Sequence, residues 1–175
     1  MRLDSASNLP PWPVAPRPFM DECMGSWIGR IAAYYKLSVE QLNADYDLRL
    51  DLTATLVGWL MLPPIGSAAL RHLAEIARIN VQRLQEIQTP AHWVSNCHSC
   101  CYCEKCLFLN PVDVSAPFWQ RQWLRPNFAS CHVHSGRLET MGASMVRGCD
   151  NFDSILKIAS KKAQSRRNRQ RFNPR

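Results

Sequence analysis

Residues 97–106 read CHSCCYCEKC and residues 131–134 read CHVH, with twenty-four residues between them. Cys103-x2-Cys106 and Cys131-x2-His134 are two short-spaced donor pairs. A pair of this spacing bends its backbone around an ion, and two pairs joined by a loop can set three thiolates and one imidazole tetrahedrally around Zn²⁺. Other registers compete. Cys97, Cys100, Cys103 and Cys106 are each separated by two residues, like the ligand run of an iron–sulfur cluster, but that reading leaves Cys131 and His134 without a role. Plain buried cysteines are the simpler alternative, and Cys23 and Cys149 read that way, as small apolar fillers. Cys101 is an extra thiol with no evident partner. The expected cofactor is one structural Zn²⁺ on Cys103, Cys106, Cys131 and His134.

Between the two pairs lies Phe118-Trp119-Gln120-Arg121-Gln122-Trp123. A module this short has little else to bury, so these aromatics read as the core beneath the metal, with Phe118 free to pack on either tryptophan. Arg121 would then point outward, to a phosphate or an acidic partner. His132-Val133-His134 could instead mark a metal-dependent DNA-nicking enzyme, but the alternating strands such a sheet requires are missing from the sequence around it. The chain has no nucleophile elbow, no glycine-rich phosphate loop and no HExxH. It reads as a binding protein and not as an enzyme.

Upstream, residues 6–19 hold five of the twelve prolines and read as an extended lead-in. From Asp21 to Lys36, Cys23, Met24, Trp27, Ile28, Ile31 and Tyr35 recur at helical spacing, with Asp21 and Glu22 placed to suit the positive end of that helix. Ser38-x-x-Gln41 resembles a capping box that opens a second helix, Val39 to Asn43. Residues 74–84 echo residues 32–42 at an offset of 42: Ala32 with Ala74, Lys36 with Arg78, Leu37 with Ile79, Val39 with Val81, Leu42 with Leu84, and caps at Ser38 and Asn80. Each unit predicts helix, short turn, helix. This is compatible with a helix-turn-helix whose second helix enters a major groove, where Gln82, Arg83 and Gln85 would meet DNA, and equally with an ordinary packed helix pair. Between the units, Leu56, Val57, Trp59, Leu60 and Leu62 predict a buried helical segment, with Trp27 and Trp59 as core. Leu52–Leu70 carries no charge, but Pro63-Pro64 interrupts it and argues against a membrane span.

Downstream, Phe152, Ile155, Leu156 and Ala159 form one face of a closing helix. Residues 161–175 then hold Lys161, Lys162, Arg166, Arg167, Arg169, Arg171 and Arg175 with no acid, so removing these seven cations from the formal net charge of +7 leaves a body near zero. Such a tail is expected to be disordered alone and drawn to polyanions, or else to serve only as a solubilising end. Arg2 and Asp4 precede a proline-rich stretch and no apolar signal-peptide core, so the eight cysteines are expected to stay reduced, in a cytoplasmic setting. The fold class is mainly α: a helical, helix-turn-helix-like domain over 1–90, a zinc-finger (zinc-ribbon-like) module over 91–145, and a helix with a basic tail over 146–175.

The stretch PFMDECMGSWIGRIAAYYKLS (residues 18–38) resembles the N-terminal signature of the TniQ/TnsD proteins, with Glu22, Ser26-Trp27 and Arg30 as its acid, Ser-Trp and Arg. CEKCLFLNP, FWQRQWL and CHVHSGRL resemble the zinc finger of the same family, in its short TniQ form. Together these motifs cover roughly residues 10–140. Many family members continue with a second Cys-x2-Cys finger, where this chain has only Cys149. The resemblance implies an accessory protein of DNA transposition in a bacterial cytoplasm. It would bind DNA, engage an AAA+ ATPase regulator of the TnsC/TniB type and, in some systems, a CRISPR effector complex. The alternative from the residues alone is a zinc-containing helix-turn-helix transcription regulator.

Overall fold

The structure is a computed structural model that describes residues 10–108 and 116–172, with side chains to residue 169. Residues 6–9 of the lead-in, Leu109–Pro111 of the finger-like motif, the Arg171 side chain and Arg175 lie outside the described residues. About half of the chain is helical, and a two-stranded sheet is the one sheet described.

Helix α1 (Met24–Tyr35) forms where the apolar spacing predicts it. Its cap is Cys23, whose sulfur accepts from Ser26 N. Burial pushes the Cys23 thiol up to about 12, which keeps it a neutral filler. Asp21 and Glu22 therefore lie before the helix, not in its first turn. The reason is visible at Glu22. Its fully buried carboxylate accepts from Ser26 Oγ (2.8 Å), from Arg30 Nε and Nη2 (2.8 Å each) and from Phe19 N (3.0 Å). A buried charge has to be paired, and this set of donors outweighs a place at the helix dipole.

The 42-residue echo recurs as backbone geometry. Helix α1 ends at Lys36 (φ 60°), and α3 (Ser67–Ala77) ends at Arg78 (φ 53°), both in the left-handed region. Each turn is closed by the next amide, Leu37 N to Ala32 O (2.9 Å) and Ile79 N to Ala74 O (3.0 Å). Two short helices follow, α2 (Val39–Asp45) and α4 (Val81–Glu86). Ser38 and Gln41 form the reciprocal capping box, and Asn80 accepts from Gln82 N. Placing non-glycine residues in the left-handed region costs roughly 1 kcal/mol each, so the turns depend on these caps and on their inward apolar residues.

Between the pairs the structure has one 3-10 turn, Gly58–Met61, where the sequence predicts a longer helical segment. Gly58 takes φ 74°, and Pro63-Pro64 follow, so an α-helix cannot propagate from either side. Val57, Trp59, Leu60 and Leu62 are nonetheless buried. This turn presses directly on α1: a Cβ at Gly25 would come within 2.5 Å of Leu60 O, and one at Gly29 within 2.6 Å of the Trp59 ring.

The cysteine-rich half is built on strands β1 (Ser99–Tyr102) and β2 (Glu139–Gly142), antiparallel with Cys100 opposite Met141 and Tyr102 opposite Glu139. Helix α5 (Glu104–Phe108) follows β1, and α6 (Ala143–Arg147) follows β2. The closing helix α7 (Phe152–Phe172) packs against α1 and buries Phe152, Ile155 and Ala159 of the predicted face, with Leu156 half-buried, but it runs well past that face. The expected disordered tail is thus corrected: its backbone is helical as far as Phe172. Ala163 is buried, Arg166 pairs with Glu104 and Glu139, and Arg167 pairs with Glu104. Those anchors add to a composition of good helix formers.

A single buried cluster runs through all of these elements, from Trp12 through Trp27 and Tyr102 to Trp119 and Phe152. Trp12, in the proline-rich lead-in, is 1% exposed, packs edge-on against Trp27 and Tyr46, and donates its amide to Ile76 O. Trp27 and Trp59 are core, as expected, and their indole nitrogens donate to Pro16 O and Cys149 O. No helix among the described residues is long and apolar enough to cross a membrane.

Candidate metal centre

Two local turns bring the four donors together. Cys103 lies just after β1 and Cys106 in α5, so one bend presents both sulfurs. Residues 131–136 form a tight loop closed by Cys131 N to Gly136 O (2.8 Å) and by the Ser130–Arg137 bridge, with Ser135 at φ 49°. That loop returns His134 over Cys131. The ligand atoms of Cys103, Cys106, Cys131 and His134 all lie within 4.8 Å of one another.

The separations test the fit. Cys106 Sγ and Cys131 Sγ are 3.5 Å apart, and His134 Nδ1 is 3.5 Å from Cys103 Sγ, 3.2 Å from Cys106 Sγ and 3.7 Å from Cys131 Sγ. Ordinary zinc–sulfur and zinc–nitrogen bonds in a tetrahedron give edges of about 3.8 Å and about 3.6 Å. The four atoms therefore stand near the corners such an ion requires, and the cluster could hold a metal ion. Cys103 and Cys131 are buried, while Cys106 and His134 are half-buried. Nδ1 is the nitrogen turned to the sulfurs, so Nε2 carries the ring proton in a ligating His134. Burial and the neighbouring Cys131 thiol push Cys106 up. Burial acts on Cys131 in the same sense, but the His134 amide and ring and the Cys106 and Cys103 sulfurs hold it at about 7. Four crowded donors that cannot all carry charge alone are what a divalent cation relieves. Cys97 and Cys100 are not in the cluster, so the run of four cysteines does not close on one ion.

The strip between the two donor pairs is buried through its aromatics. Trp119 is fully buried and meets Tyr102 at 5.3 Å and Trp123 at 5.7 Å between ring centroids. Phe118 packs on neither tryptophan but stacks on Phe19 at 4.5 Å, and Phe19 in turn lies under the Arg30 guanidinium. This strip is tied to α1 by its backbone. Cys23 N donates to Trp119 O (3.0 Å), Trp119 N to Ser26 Oγ (2.9 Å) and Arg121 N to Asp21 O (2.6 Å). Glu22, Ser26 and Arg30 are spaced by four residues, which puts them on one helix side and offers a signal for the network. Its partner, ninety residues away, has no such signal.

The residues expected to meet nucleic acid are scattered over the surface. Gln82 and Gln85 are exposed on α4, but Arg83 pairs with Glu86 (3.1 Å) and donates to Pro18 O (3.0 Å). Arg121 does not point outward: its guanidinium turns back onto the carbonyls of Glu86 and Gln88. On α7, Lys162 donates to Thr140 O, and Arg166 and Arg167 are held by Glu104 and Glu139. Lys161 and Arg169 remain exposed. Glu104 sits between the donors Cys103 and Cys106, so α7 braces the turn that carries two of the four. That role was not legible in the sequence, where Glu104 and Glu139 are ordinary acids.

Fold and site together define a protein that is about half helical, with a small two-stranded sheet and a Cys3His cluster that could hold a metal ion. No family model, curated protein or solved structure matches this chain.

Proposed function

We propose that the protein is an accessory adaptor of DNA transposition, without chemistry of its own, in which a structural Zn²⁺ on Cys103, Cys106, Cys131 and His134 holds the docking surface. One observation carries the reading. The separate stretches that resemble TniQ/TnsD proteins meet in space: Ser26 and the backbone of residues 21–23 hold the Trp119–Arg121 strip that lies between the two donor pairs in sequence, while Arg30 and Ser26 close on the Glu22 carboxylate. Motifs that join into one structural unit are better support than either alone. The adaptor would hold DNA jointly with an AAA+ ATPase regulator, because the body of the chain is near neutral. Of the residues expected to meet DNA, Arg83, Arg121, Lys162, Arg166 and Arg167 are engaged within the protein, which leaves Gln82, Gln85, Lys161 and Arg169 exposed for contact.

The exposed Gln82 and Gln85 favour one second reading, a zinc-containing regulator that uses α4 to read a fixed operator. Selection on random duplexes with the purified protein separates the two. Weak, salt-sensitive binding that tightens when a TnsC/TniB-type ATPase is added supports the adaptor. Nanomolar binding to a long enriched motif by the protein alone overturns it in favour of the regulator.

A further inference from the structure

Three of the eight cysteines, Cys97, Cys100 and Cys101, lie outside the metal cluster and line one cavity of about 410 Å³ beside the sheet. They are not equivalent. The chain bends at His98, and Cys97 and Cys100, on either side of that bend, line the same cavity. Cys100 points into the core and is 2% exposed, opposite Met141, while Cys97 is half-buried at the cavity wall. Cys101, the next residue along the strand, is half-buried and also lines the cavity. Arg125 and Arg137 also line the cavity, and no acidic residue does. An accessible sulfur, a buried sulfur against it and a cationic approach are the parts of a thiol–disulfide exchange site.

We propose that Cys97 and Cys100 form a reversible dithiol–disulfide couple, separate from the metal centre, that exchanges with small anionic disulfides of the glutathione type. The Cys97 thiolate attacks one sulfur of the disulfide, a mixed disulfide forms and the first thiolate leaves. Cys100 loses its proton to solvent and its sulfur attacks Cys97, so the Cys97–Cys100 bond forms and the second thiolate leaves. The two protein thiols are oxidised, and the one small disulfide is reduced to two thiols. The neighbouring Cys100 thiol holds Cys97 down at about 6, against the effect of burial, and the neighbouring Cys97 together with burial raises Cys100. That ordering makes Cys97 the attacking sulfur and Cys100 the resolving one. A metal site is the poorer reading of the pair, because no third His, Cys, Asp or Glu among the described residues joins it.

The test uses the full chain loaded with zinc, equilibrated with mixtures of reduced and oxidised glutathione, quenched with an alkylating agent and mapped by peptide mass. The expected result is a disulfide between Cys97 and Cys100 with the zinc retained. Oxidised glutathione should react several-fold faster than cationic cystamine, and the preference should shrink in Arg125→Ala/Arg137→Ala. Cys100→Ser should stop at a glutathione adduct on Cys97. Should that buried change prevent folding, Cys97→Ser serves instead and should leave Cys100 unoxidised. The proposal is overturned if Cys97 pairs with Cys101, if the ligand cysteines oxidise first and release zinc, or if Cys97→Ser removes a second equivalent of zinc.

Discussion

The two halves of the molecule are held in different ways. The helical half, α1 to α4, is written in local signals: apolar spacing, a left-handed cap and a side-chain cap, each used twice at an offset of 42 residues. The cysteine-rich half has two short strands and two one-turn helices, α5 and α6, too little regular structure to stand alone. It is held by long-range means, with four donors from two distant loops, a buried aromatic strip hydrogen-bonded to Ser26 of α1, and the α7 arginines on Glu104 and Glu139. Local signals make an element robust to the loss of a distant partner, whereas a centre assembled from distant parts fails when any of them is lost.

The contrast can be broken most severely at the metal. Removing zinc by chelation, or one ligand by Cys131→Ser, should abolish stoichiometric metal binding and loosen residues 99–142, because apparent zinc binding energies in small modules are on the order of 10–16 kcal/mol. Hydrogen exchange resolved by peptide should show lost protection there, with α1 and α3 keeping most of theirs. Equal loss in both halves would erase the distinction. Next in size is the joint between them. Glu22→Gln leaves the nearly buried Arg30 guanidinium without its anion and should cost about 3–5 kcal/mol in chemical denaturation. A cost near that of a surface ion pair would mean the network does not couple the halves.

The local signals predict smaller effects. Ser38→Ala and Asn80→Ala should each cost about 1 kcal/mol, and the two should add, because the caps stand in different helix pairs. Strong non-additivity would show the pairs to be one unit. The smallest change concerns DNA. If Lys161 and Arg169 are the cations of α7 left for phosphates, Lys161→Gln/Arg169→Gln should lower the slope of log affinity against log salt by about 2, since each contact contributes about 0.9. Arg166→Gln should leave that slope unchanged and instead loosen α7 from Glu104 and Glu139. A reversed pattern would place the DNA on the other face of α7.

What the sequence alone determined was what depends on neighbours within a few residues. The capping box at Ser38 and Gln41, the spacing that makes α1, the register of the Phe152–Ala159 face and the two donor pairs could all be read from positions close along the chain. That a Cys-x2-Cys pair would join Cys131-x2-His134 was also legible, but Cys97, Cys100, Cys103 and Cys106 share one spacing, and the fold is what brings Cys103 and Cys106 to that pair. Tertiary structure decided the rest. Arg121 turned inward because the carbonyls of Glu86 and Gln88 lie beside it, and Glu22 left the helix dipole because Arg30 and Ser26 could satisfy it in the core. The basic tail became a helix because Glu104 and Glu139, far away in sequence, stand where its arginines pass. A charge on a chain shows only its sign, and its role depends on which groups the fold brings within a few ångströms of it.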